Sequence, residues 1–192
     1  MNRDNRNNGT DQTGLEFWEK IRLGDSTAFS YVFQKYYQAL YQFAGRFVKD
    51  AQTAENIVQD VFVKLWTNRE NCLITSSLKS YLYAATRNTA LNFLSREKKQ
   101  LSTEDLMSDR QDTTANPEER IIENEMIDEV YKAIEKLPEK CRYVYLMKRY
   151  DDLKYHEIAE ILDISINTVK TQMKRALKSL LKNLAYLKTN II

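Results

Sequence analysis

Apolar side chains recur every three or four residues along most of the chain, the spacing of one helix face. Leu15 to Arg22 is predicted as a short helix ended by Gly24. From Ser26 the set Phe29, Val32, Phe33, Tyr36, Tyr37, Leu40, Phe43, Ala44 and Phe47 keeps that spacing, with Asp25 as predicted N-cap because its carboxylate can accept the orphan amides of a first turn. Lys49-Asp50 breaks the pattern, and Ala54, Ile57, Val58, Val61, Leu65 and Trp66 mark the next helix. A polar loop, Asn68 to Ser76, leads to a fourth, from about Ser77 to Arg96. Periodicity is absent between Glu97 and Glu118. It resumes at Ile121, Ile122, Met126, Ile127, Val130 and Ile134. Pro138 ends that helix and suits the first turn of another, running to about Tyr150. Tyr155 to Leu162 reads as a short helix. After Asp163-Ile164 a last one follows, with Ile166, Val169, Met173, Leu177, Leu180 and Leu184 on one face.

The fold class implied is all-α: two small helical domains joined by a flexible acidic linker. Only 4 Gly and 2 Pro occur in 192 residues, too few for an architecture of tight hairpins. Residues 1–14 are polar and unpatterned and are read as a disordered tail, 15–96 as the first domain, 97–118 as the linker and 119–192 as the second domain. The linker sets +3 against −6 and carries Pro117. No segment approaches a membrane span or the apolar core of a signal peptide, so no membrane insertion and a cytoplasmic location are expected. Cys72 and Cys141 form no CxxC pair, and with a single His no metal site and no cofactor are expected. An enzyme is disfavoured too, for there is no Gly-rich phosphate loop or nucleophile elbow. His156 is given no role.

Charge sharpens the picture at the C-terminal end. The formal net charge is only +2. From Ser165 onward, however, there is no acidic residue, against Lys170, Lys174, Arg175, Lys178, Lys182 and Lys188. Two short helices at a tight turn, the second amphipathic with a cationic outer face, form the pattern of a helix-turn-helix that offers a recognition helix to DNA. Ser165 is a natural N-cap for that helix. Asp163 stands where such turns often carry Gly, and Asp tolerates the left-handed conformation. Thr168, Lys170, Thr171, Lys174 and Arg175 lie off the apolar face. Lys170 and Arg175 suit phosphates or guanine edges, and Thr171 and Gln172 are candidates for base contact.

The motifs Gln59-Asp60-Val61-Phe62-Val63-Lys64-Leu65-Trp66, Tyr81-Leu82-Tyr83 with Arg87-Asn88, Leu137-Pro138-Glu139-Lys140-Cys141-Arg142, Glu157-Ile158-Ala159-Glu160-Ile161-Leu162 and Thr168-Val169-Lys170 follow in that order around an unpatterned linker. In this the chain resembles the extracytoplasmic-function (ECF) sigma factors, small two-domain members of the sigma-70 family of bacterial initiation factors. The resemblance covers about residues 15–96 and 119–187. It implies a non-catalytic transcription factor that binds core RNA polymerase and promoter DNA, recognises the −10 and −35 elements, serves a stress- or signal-responsive regulon and is controlled by an anti-sigma factor.

It also implies roles. The helix around Asp60 docks on the coiled-coil of the largest polymerase subunit, through Gln59, Asp60, Val63 and Lys64. An apolar Val beside an acid and an amide on an outer face suits a protein contact. The helix from Ser77 and the loop before it capture a flipped base of the downstream element, with Arg87 and Asn88 assigned there together with Tyr81 and the loop Asn71 to Ser76. Many relatives carry Trp where Tyr81 stands, and a core role suits Tyr81 equally. The last helix reads the upstream element through Thr168, Lys170, Thr171, Gln172, Lys174 and Arg175. The linker follows the RNA exit path. Two other readings stay open on the residues alone: a dimeric repressor or activator, which shifts duplex DNA unaided, and a helical adaptor, which shows no salt-dependent DNA binding.

Overall fold

The computed structural model describes residues 8–48, 50–74, 77–101 and 125–189. The Ile121 and Ile122 positions, most of the linker, and Thr75 and Ser76 of the loop lie outside the described residues. All regular structure among the described residues is helical: α1 Asn8–Arg22, α2 Ser26–Ala44, α3 Ala51–Thr67, α4 Leu78–Leu101, α5 Glu125–Glu135, α6 Glu139–Arg149, α7 Tyr155–Leu162 and α8 Ile166–Thr189. The chain divides into two compact units, Met1–Ala115 and Asn116–Ile192. Three boundaries differ from the periodicity: α2 stops at Ala44, short of Phe47, and two other helices run past it. α1 starts at Asn8, inside the stretch read as tail, and α4 runs to Leu101, inside the stretch read as linker. In both cases a packed helix propagates past its last core residue, since each added residue gains a hydrogen bond once the nucleus exists.

In the first unit α1 ends on Gly24 at φ +88, where the Asp25 amide donates to Lys20 O at 3.0 Å and the Gly24 amide to Ile21 O at 2.9 Å. Only a residue free to adopt positive φ closes a helix this way at little cost. Asp25 then caps α2, its Oδ1 accepting from the Thr27 and Ala28 amides at 2.8 and 3.0 Å. Asp25→Ala is expected to lower the thermal stability of this unit by about 1 kcal/mol, measured by calorimetry. Asp50, read from the sequence as a break, caps α3: Oδ2 accepts from both the amide and the hydroxyl of Thr53 at 2.7 Å. The core gathers Trp18 and Ile21 of α1, Val32, Leu40 and Phe43 of α2, Ile57, Val58, Val61 and Leu65 of α3, and Leu78, Leu82, Tyr83 and Ala90 of α4. An aromatic seam closes α2 on α3, with Phe33 and Phe62 centroids 4.8 Å apart and Phe29 and Trp66 at 5.0 Å.

In the second unit Pro138 sits just before α6 and accepts the Cys141 and Arg142 amides on its carbonyl, at 2.8 and 2.9 Å. Ala133, Ile134, Leu137, Cys141, Ala176 and Leu180 form one buried cluster across α5, α6 and α8. α7 meets α8 at Asp163, which adopts φ 54 and ψ 50, the left-handed conformation expected of it. The buried Glu157 takes the Lys154 amide on Oε2 at 2.6 Å and so fixes the entry to α7. The apolar seam of α8 is narrower than its spacing suggested. Val169, Met173, Ala176 and Leu180 are buried, whereas Ile166 and Leu177 are exposed. Ala176 joins the buried cluster with Cys141, while Leu177 lines an open groove beside Tyr155.

Candidate polymerase- and promoter-binding surfaces

The inner stripe of α3 is fully used by the core, so the residues between its turns face outward. Gln59, Asp60 and Lys64 are exposed, and Val63 is 59% exposed, so the domain's own helices do not cover it. The surface is not confined to α3. Asp60 and Lys64 line a groove of about 150 Å³ together with Asn92, Phe93 and Arg96 of α4. Phe93 is 41% exposed beside this groove. Periodicity along α4 had no means of finding this, because the exposure of Phe93 depends on how α3 crosses it.

α4 carries the second candidate surface. Asn88 is exposed, Arg87 is half-buried, and the Arg87 guanidinium reaches Asn88 Oδ1 at 3.4 Å, which brings the two assigned residues together. Ser80, on the first turn of α4, is fully buried, so the open face that carries Arg87 and Asn88 begins beyond it. Tyr81 has a different environment from the other two. It is half-buried and hydrogen-bonded to Cys72, so it ties the preceding loop to the first turn of α4. The loop is further held by the Arg69 guanidinium, 4.5 Å from the Trp66 ring and donating to Trp66 O at 2.7 Å. These anchors leave Leu73 projecting, 80% exposed, an apolar tip that the sequence reading passed over inside a polar loop.

Burial, and after it the bond to Cys72, pushes the Tyr81 phenol up from 10.0 to about 12. The fold therefore favours the neutral phenol. This contribution is present in full below pH 10 and is lost as the pH rises towards 12. Tyr81→Phe is expected to remove one ionisation step near pH 12 from the ultraviolet absorbance titration and to flatten the loss of stability between pH 10 and 12.

On α8 the six assigned residues divide by what already engages them. Ser165 caps the helix as expected, accepting the Thr168 amide at 3.1 Å and pairing with the Thr168 hydroxyl at 2.9 Å. Thr171 donates its hydroxyl to Asn167 O at 2.9 Å, which leaves its methyl and its lone pairs facing out. Lys170, Lys174 and Arg175 are exposed, while Gln172 is half-buried against α6. Charge for phosphates and short side chains for base edges thus lie on the first turns of one helix, the arrangement a recognition helix needs. Among the described residues no group of three or more His, Cys, Asp or Glu side chains could hold a metal ion, and no helix is long and apolar enough to cross a membrane.

Sigma-70 region 2 matches residues 32–100 and Sigma-70 region 4 matches residues 127–180. The chain is 29% identical over 175 residues to the ECF RNA polymerase sigma factor SigW of Bacillus subtilis, covering 86% of this chain and 94% of the relative. It is 26% identical over 167 residues to the ECF RNA polymerase sigma-E factor of Escherichia coli K12, covering 82% and 87%. Its fold matches the sigma factor RpoE of Bartonella quintana, solved with the anti-sigma factor NepR, at a TM-score of 0.61 and 21% identity over 82% of this chain and 96% of that one. The class is a sigma factor, a non-catalytic transcription initiation factor of RNA polymerase. Within that class, the chain belongs to the extracytoplasmic-function subfamily of the sigma-70 family.

Proposed function

We propose a division of labour between the two units of this sigma factor. The first unit joins core polymerase through Gln59, Asp60, Val63 and Lys64, with Phe93 and Arg96 extending the same face. It also captures an unpaired base of the downstream promoter element with Arg87, Asn88 and the loop Asn71 to Ser76, in which Leu73 is exposed. Tyr81 is a loop anchor in this reading, because its hydroxyl is already engaged by Cys72. The second unit reads the upstream element through Thr168, Lys170, Thr171, Gln172, Lys174 and Arg175. The observation that carries the docking role is Val63: a β-branched apolar side chain 59% exposed between an acid and a lysine contributes nothing to its own core and suits burial against a partner.

The protein acts in the cytoplasm, where its polymerase works, and serves a signal-responsive regulon. Control by an anti-sigma factor is supported by the fold match to a sigma factor solved with one. The acidic stretch 97–118 is suited to the RNA exit path, since its charge resembles that of RNA. Run-off transcription with cognate core polymerase, with and without the protein, tests the reading on a genomic template library. Promoter-specific transcripts dependent on the protein are expected. None across the library would overturn it, and a linker whose charges are neutralised without loss of activity would remove the exit-path role alone.

A further inference from the structure

The Cys141 thiol lies 2.9 Å from Oε1 of Gln172 and donates to it. Neither end of this bond is free to wander. Cys141 is 3% exposed and belongs to the buried cluster with Leu137, Ala176 and Leu180, so its Sγ is fixed by the core. Gln172 is anchored by α8 one turn before Ala176, and α6 stands beside it. Its amide carbonyl is thus committed to the interior and its NH₂ is left as the group with capacity to spare.

This matters because glutamine normally reads adenine with both ends of the amide, accepting from N6 and donating to N7. The carbonyl keeps a second lone pair, but the bond to Cys141 turns the oxygen towards α6, which disfavours the paired contact and leaves donation by the NH₂ as the favoured mode. A donor-only side chain keeps a single bond to adenine N7 but leaves the N6 amine unmatched, whereas it fits the acceptors of guanine (O6 and N7) or thymine (O4), and it meets only a competing donor at the N4 amine of cytosine. We propose that Cys141 is a specificity-determining positioning residue: from the core of the second unit it holds Gln172 in a donor-only state and so biases one position of the upstream element away from adenine and towards guanine or thymine. The inference rests on α8 reading the upstream element.

The test uses the full chain with core polymerase on a duplex promoter library randomised across the upstream element, with transcripts counted by sequencing. Gln172→Ala first identifies the position concerned, as the one whose base preference it flattens. At that position Cys141→Ala and Cys141→Val are expected to raise adenine usage about tenfold relative to guanine and thymine, the discrimination of one bidentate pair. Cys141→Ser keeps a donor and is expected to retain the original preference. The two variants without a donor should have no further effect in a Gln172→Ala background. Preference ratios do not depend on the fraction of folded protein, so a partly unstable variant still gives an answer. An unchanged ratio in both Cys141→Ala and Cys141→Val, or an equal change in Cys141→Ser, overturns the proposal while leaving α8 as the reader. If Lys170→Ala and Arg175→Ala also leave promoter selection untouched, the reading of α8 falls with it.

Discussion

The double variant Asp60→Arg, Val63→Glu is expected to lose core polymerase binding by about hundredfold or more while the first unit stays folded. The two halves of that expectation come from different sides of one helix. α3 buries Ala54, Ile57, Val58, Val61, Phe62 and Leu65, and none of these is altered. Asp60 and Val63 are exposed and take no part in the core, so their replacement falls among surface changes worth within about 0.5 kcal/mol of stability. Binding is another matter. Glutamate at 63 must be desolvated where an apolar group was buried, and arginine at 60 reverses the charge the partner meets. The few hot-spot residues near the centre of an interface cost about 2 kcal/mol or more each when lost. Competition against a labelled sigma factor for core polymerase gives the affinity, and a thermal melt gives the fold. Undiminished affinity would remove α3 as the docking face; a collapsed melt would show that the two faces of the helix are not independent.

Phe93 and Arg96 come from α4 yet line the same hollow as Asp60 and Lys64. That juxtaposition was not legible in the sequence. What was legible followed from local rules. The 3.6-residue period gave the helices, and the short polar residues Asp25, Asp163 and Ser165 fell at the ends they cap because cap chemistry acts within three residues. The acid-free run after Asp163 was legible for the same reason, since it is a property of one continuous segment. Where the outcome depended on a second element, local rules ran out. α4 is apolar nearly all round, and which of its faces is open is decided by the packing of α1, α2 and α3. Phe93 emerged and Ser80 was covered for that reason. Leu177 falls on the apolar face of α8 by spacing yet is exposed, while Ala176 is buried. Cys141 and Gln172 are 31 residues apart, and no spacing rule links them. Tyr81 is intermediate: its aromatic character was readable, but its engagement by Cys72 required the loop to fold back.

The second large effect is expected in the salt dependence of promoter binding by the holoenzyme. Lys170, Lys174 and Arg175 are exposed on the first turns of α8, beside the Ser165 cap that orients the start of the helix. Each phosphate neutralised by such a cation releases counterions and contributes about 0.9 to the slope of log affinity against log salt. Replacing all three by Ala is expected to flatten that slope by about 2.7 if all three meet phosphates. The gap between parent and variant should then narrow about fortyfold between 50 and 200 mM salt. Lys178 and Lys182 provide the comparison. They are exposed too, but they lie further along the helix, beyond its first turns. Their joint replacement is expected to move the slope by less than one contact. Arg175 can depart from this pattern in one informative way. If it binds a guanine edge instead of a phosphate, its single replacement relaxes base preference at one position and barely alters the slope. Equal slopes for the triple variant and the parent would mean that the acid-free helix is a solvated face, and that promoter contact comes from elsewhere on the second unit.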